Sequence, residues 1–229
     1  MDQTVSIVVR EGIAVSARRT GPDRPTTGPA VIYAPGAGSN LNDPFGAYLA
    51  DFLEKRDIEC WRFQFPYSEA GRKAPDPPAL LEATWLAVIE AAAGDQKPRV
   101  STRGAPAPRL VIGGRSMGGR IASMVAAKGA PVAGLALFAY PLIPPSRTTS
   151  DRADHFPSIA VPTLFCSGTR DSFATPDQLR EAVSRVPHAT LHLLDGADHG
   201  FSTLKASGRT RRDVWQEACD ALLAFLKTV

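Results

Sequence analysis

Short runs rich in β-branched and aromatic residues alternate along this chain with longer segments whose apolar positions recur at helical spacing. VSIVVR and AVSAR predict an opening hairpin, and AVIYAP, ECWRFQF, RLVIGG, AGLALFAY, TLFCSG and ATLHLLD predict further strands. Helices are expected near residues 44–56, 77–93, 117–129, 176–185 and 209–227. Several strands are apolar on consecutive positions, which suits a parallel sheet covered on both faces. The expected fold class is α/β: a doubly wound, mostly parallel twisted sheet of about eight strands with an antiparallel start. In such sheets ligands bind outside the carboxyl ends of the strands, so the strand-to-helix loops are where chemistry belongs.

Composition narrows the picture. The 229 residues are 44% hydrophobic and 21% charged, without repeat or linker, so one domain over residues 1–229 is expected. A net charge of +3 does not suggest a nucleic-acid partner, and the basic stretch from Gly94 to Arg109 reads as a solvated loop. The N-terminus, MDQTVSIVVREG, reads as a strand and not as a signal peptide. The uncharged run Gly129–Ser146 contains Pro131, Pro141, Pro144 and Pro145, which argues for strand and loop over a membrane span. Cys60, Cys166 and Cys219 are far apart and without CxxC spacing, so neither disulfides nor a zinc site are expected, and a reducing, cytoplasmic setting fits.

One stretch resists explanation by propensity. In LVIGGRSMGGRIASMVAAKG, Ser116 stands among four glycines where a strand should run into a helix. Gly114-Arg115-Ser116-Met117-Gly118 fits the G-x-S-x-G nucleophile elbow, in which a serine sits on a sharp turn at a helix N-terminus. Side chains two residues before or after it would collide with the neighbouring strand and helix. A serine hydroxyl is a weak nucleophile at neutral pH, so it needs a base and a group to orient that base, in the chain order Ser, acid, His. His199 in DGADHGF lies in a loop after the last strand, whereas His155 precedes the acid and His188 and His192 belong to the strand region. Asp171 in GTRDSFATP follows TLFCSG and is the expected acid. An oxyanion hole would use the N–H of Met117 and a second from YAPGAGSN, with Ala37 favoured and Gly38 the alternative.

The order of APGAGSN, GGRSMGG, GTRD and DGADHGF resembles the α/β-hydrolase superfamily across essentially the whole chain. More narrowly, FQFPYSEAGRKAPDPP, GGRSMGGRIAS and HFPSIAVPTLFCSGTRDSFATP resemble a branch related to dienelactone hydrolases that includes a testis-expressed protein and a subunit of the NSL chromatin acetyltransferase complex. The resemblance implies a single α/β-hydrolase domain with a minimal cap at about residues 141–161. Dienelactone hydrolases use a cysteine nucleophile; the position here is Ser116, so lactone chemistry is not carried over.

These residues together point to a serine hydrolase acting on a carboxylic ester or related acyl bond of a small molecule, without metal or organic cofactor and without a membrane partner. The short insertion suggests small or short-chain acyl groups. Arg120, one helical turn beyond Ser116, is expected to help attract an acidic substrate, and Tyr67 to line the pocket or pack in the core. Two other readings stay open: an interaction module on a hydrolase fold, and an acyltransferase that hands the acyl group to an alcohol or amine. The oligomeric state is not legible.

Overall fold

Eight strands and six helices account for most of the residues described by the computed structural model, which are 2–22, 28–95, 109–144 and 152–229. Strands β1 (Asp2–Arg10) and β2 (Ile13–Thr20) form the opening hairpin. They are followed by β3 (Ala30–Ala34), helix α1 (Pro44–Glu54), β4 (Cys60–Phe63), the one-turn α2 (Pro66–Glu69) and α3 (Pro78–Asp95). Then come β5 (Leu110–Arg115), α4 (Met117–Ala127), β6 (Gly134–Phe138), β7 (Thr163–Gly168), α5 (Pro176–Val183), β8 (Ala189–Leu194) and α6 (Arg211–Leu226). They assemble into one sheet in the order β1-β2-β4-β3-β5-β6-β7-β8. β2 pairs antiparallel with both β1 and β4, and every pairing from β4 to β8 is parallel.

The pleat explains why the central strands are apolar throughout. In β3, Ala30, Ile32 and Ala34 face the layer that holds Trp85 of α3 and Ile121 of α4, while Val31 and Tyr33 face Phe45 of α1 and Val214 of α6. β5 repeats the division, with Leu110 and Ile112 on the first face and Val111 on the second. The sheet is therefore sandwiched between two helical layers, as consecutive apolar positions require.

Helix starts are marked locally. Asp43 caps α1 by accepting from Gly46 N, and Pro44 follows at the first helical position. Thr175 and Gln178 form a reciprocal capping box at α5, as Thr210 and Asp213 do at α6. The strands and longer helices follow the sequence expectation; α2 and the short 3₁₀ turns Phe156–Ser158 and Lys205–Ser207 do not appear in it, because a single turn leaves no periodic pattern. Of the basic stretch 94–109, residues 96–108 lie outside the described residues, as do 145–151 of the expected cap at 141–161. Among the described residues no helix is long and apolar enough to cross a membrane.

Candidate active site

Ser116 occupies the junction of β5 and α4 with φ 51° and ψ −118°, a left-handed conformation that is uncommon outside glycine. Its N–H donates to Phe138 O at 2.9 Å and its carbonyl accepts from Arg120 N at 2.9 Å, so the turn is tied to β6 on one side and to its own helix on the other. The flanking glycines have a steric cause. A Cβ at Gly114 would stand 2.1 Å from Ala34 O, and one at Gly118 would stand 2.4 Å from the same oxygen. Both clashes fall on the end of β3, so this one neighbouring strand dictates glycine on both sides of the serine.

His199 brings the loop after β8 to the serine. Its Nε2 lies 3.0 Å from Ser116 Oγ, and its Nδ1 lies 2.9 and 3.0 Å from the two carboxylate oxygens of Asp171. A carboxylate only accepts, so Nδ1 carries the proton and Nε2 is left to accept from the serine hydroxyl. Asp171 is 4% exposed and also accepts from Phe173 N at 2.8 Å and from Ser167 Oγ at 3.4 Å. The Phe173 ring lies against the imidazole with centroids 4.1 Å apart. Asp198, beside the histidine, closes the loop: its carboxylate accepts from Gly200 N and Ser202 N, both at 2.8 Å. In the sequence the signal for this turn is an aspartate followed by glycine two residues on, in DHGFS.

The PGAG loop after β3 comes alongside. A Cβ on Gly36 would be 3.5 Å from Ser116 Cβ, which measures how close the backbone passes to the nucleophile. Gly38 N–H is already committed, donating to Tyr67 Oη at 3.2 Å, whereas Ala37 N–H has no acceptor among the described residues. Tyr67 itself is 1% exposed, stacked on Phe65 and absent from the cavity wall, and burial pushes its phenol above the ordinary tyrosine range. Of its two expected places it takes the core. Its N–H donates to Asp76 Oδ2 at 2.7 Å, and Asp76 Oδ1 pairs with Arg72 at 2.6 Å, a support that the sequence did not reveal.

A cavity of about 500 Å³ opens over Ser116 and His199. Gly36, Ala37 and Met117 border it beside the serine, Leu81, Ile121 and Phe173 supply apolar wall, and Arg115, Arg120 and Arg152 supply charge. Arg170, which also flanks the motifs in sequence, instead donates to Gly196 O at 3.3 Å. A hydroxyl bonded to an oriented imidazole, beside a helix N-terminus and the PGAG loop, is an arrangement competent for acyl transfer.

Comparison with known proteins agrees with this architecture. A serine hydrolase homologue from Coxiella burnetii superposes with a TM-score of 0.73 over 97% of both chains at 19% identity. A dienelactone hydrolase from Anabaena variabilis gives 0.72 over 98% of this chain and 97% of its own at 18% identity. In sequence, 74 residues are 31% identical to a (R)-3-hydroxydecanoyl-ACP:CoA transacylase from Pseudomonas aeruginosa, covering 32% of this chain and only 23% of that protein's length. Residues 27–227 match the family described as Alpha/beta hydrolase domain, so with its eight-stranded sheet the chain belongs to that family.

Proposed function

We propose that this protein is a serine hydrolase that cleaves a carboxylic ester or related acyl bond of a small molecule through an acyl-enzyme. The observation that carries the proposal is the unbroken hydrogen-bonded series from Asp171 through His199 to Ser116 at the mouth of a cavity. As Ser116 Oγ attacks the carbonyl carbon, its proton passes to His199 Nε2, and the buried Asp171 carboxylate stabilises the imidazolium that results. The N–H groups of Met117 and Ala37 hold the developing oxyanion, Ala37 being favoured because Gly38 already serves Tyr67. Collapse expels the alcohol with the proton from His199; water then attacks the acyl-serine through the same base, releasing the acid and restoring Ser116.

No step needs a metal or organic cofactor. The three free, buried cysteines agree with a reducing, cytoplasmic setting. Labelling with a fluorophosphonate probe tests the reading directly: wild type should be modified at Ser116, and Ser116→Ala should lower kcat by roughly 10⁴ to 10⁶. Intact folded protein that never reacts would favour an interaction module on the same fold.

The partial likeness to a transacylase supports a second reading, in which an acceptor other than water takes the acyl group. Product analysis with added alcohol, amine and thiol acceptors separates the two, since an acyltransferase would form the new ester, amide or thioester in preference to free acid.

A further inference from the structure

Among the described residues, three arginines and one acid line the cavity, and that acid is already paired. Arg115 immediately precedes Ser116, Arg120 is on the first turn of α4, and Arg152 arrives from the segment between β6 and β7. Asp76 is the acid on the same wall, and its two oxygens are taken by Arg72 and by Tyr67 N–H. Arg152 is anchored by a 2.9 Å bond from its Nη1 to Pro141 O, which points to a fixed and not a freely waving cation. Arg115 and Arg120 have no carboxylate partner among the described residues, and the Nε of each is buried with no hydrogen-bond acceptor. Both arginines line the cavity beside the nucleophile, and two cations there without a carboxylate call for an anion.

We propose that Arg115 and Arg120 form an oxyanion subsite beside Ser116, so that the natural acyl substrate carries a carboxylate or phosphate group of its own. The inference rests on the serine-hydrolase reading for its kinetic consequences and on the cavity alone for its binding ones. The planar, multiply donating guanidinium suits both oxyanions. A neutral ester would leave Arg115 and Arg120 without a carboxylate partner and gain nothing from them.

The test compares monoethyl glutarate with ethyl pentanoate, which differ in a terminal carboxylate, by quantifying the ethanol released. Wild type should favour the anionic ester by about 10- to 100-fold in kcat/KM at low salt, with the preference shrinking as salt is added. Arg120→Gln and Arg115→Gln should each bring the ratio toward unity, and Arg120→Lys should recover part of it. Because the ratio is read within one protein, a general loss of folding or activity leaves it unmoved. Slowing of fluorophosphonate labelling by glutarate, by inorganic phosphate or by neutral glutaramide then distinguishes the anions: inhibition by either anion and not by the amide supports the subsite and names its preference. Equal kcat/KM for the two esters in a protein that is labelled at Ser116 overturns the proposal and leaves the hydrolase reading intact. Should Ser116 not react at all, calorimetric titration of wild type with glutarate and with phosphate decides the matter separately. Salt-sensitive binding lost in Arg120→Gln upholds the subsite, and absence of binding to both anions ends it.

Discussion

Gly118 and Tyr67 act on the candidate site without touching a substrate, and each makes a prediction. An alanine at position 118 would push its Cβ to 2.4 Å from Ala34 O and 2.6 Å from Pro35 O, backbone atoms that cannot swing aside as a flexible side chain would. Gly118→Ala should therefore destabilise the fold by about 1–3 kcal/mol, read as a lower denaturant midpoint at unchanged slope, and should cost activity as well because the elbow must shift. Tyr67→Phe removes the acceptor of the exposed Gly38 N–H, at a cost of about 0.5–1.5 kcal/mol. If that bond positions Ala37, kcat should fall while KM changes little; an unchanged kcat would relieve Tyr67 of any part in placing the PGAG loop. Ser116 was legible because strain and sterics force a compact glycine signature around it, and His199 because strand order leaves few loops where a base can stand. The role of Tyr67 was not, since its partner lies 29 positions away and only folding brings the two together.

At the scale of elements, the second turn of α4 and the segment leading into β7 are joined by a polar contact inside an apolar layer. Ser123 Oγ donates to Arg120 O at 2.7 Å and lies 2.8 Å from His155 Nε2, which therefore carries the proton of a neutral imidazole. Burial, with Arg120 nearby adding to it, holds His155 down to about 4 from its ordinary 6.5. The sign follows. A histidine whose folded pKa is depressed stabilises the fold fully above its unfolded pKa, and that contribution is lost as pH falls from about 6.5 toward 4, where the unfolded chain binds the proton first. Wild type should lose melting temperature across that window, and His155→Asn should lose less of it. Parallel acid profiles for the two proteins would remove His155 from the account. Helices and strands here were read correctly wherever a period repeats over several residues or a cap marks the start, as Asp43 and Pro44 do for α1. The one-turn α2 escaped because Pro66–Glu69 contains less than two turns of pattern, although its Pro66 and Tyr67 are buried against the core.

Considered as a whole, the molecule gathers loops from the carboxyl ends of β3, β5, β7 and β8 at one edge of the sheet, and the described part of the chain between β6 and β7 adds to the cavity wall. The described part of that chain lies against the core: Phe156 and Ile159 are buried, Phe156 meets Tyr140 edge-on at 5.2 Å, and Tyr140 Oη donates to Arg152 O at 2.6 Å. It packs beside Ser123 of α4, and what it lends to the cavity among the described residues is Pro141 and Arg152. Apolar wall comes from Leu81, Met117, Ile121 and Phe173, within about 500 Å³. Each CH₂ of an acyl chain buried against that wall is worth about 0.8 kcal/mol, or about fourfold in kcat/KM, and a CH₂ beyond it in water is worth nothing. Across 4-nitrophenyl esters of increasing chain length, kcat/KM should therefore climb over the shortest members and level off near about C6, without activation at a lipid interface. The series from acetate to laurate measures this under one buffer and one detergent-free condition. A rise that continued through laurate would mean that walls beyond Leu81, Met117, Ile121 and Phe173 enclose the chain, and the small-substrate assignment would fall with it.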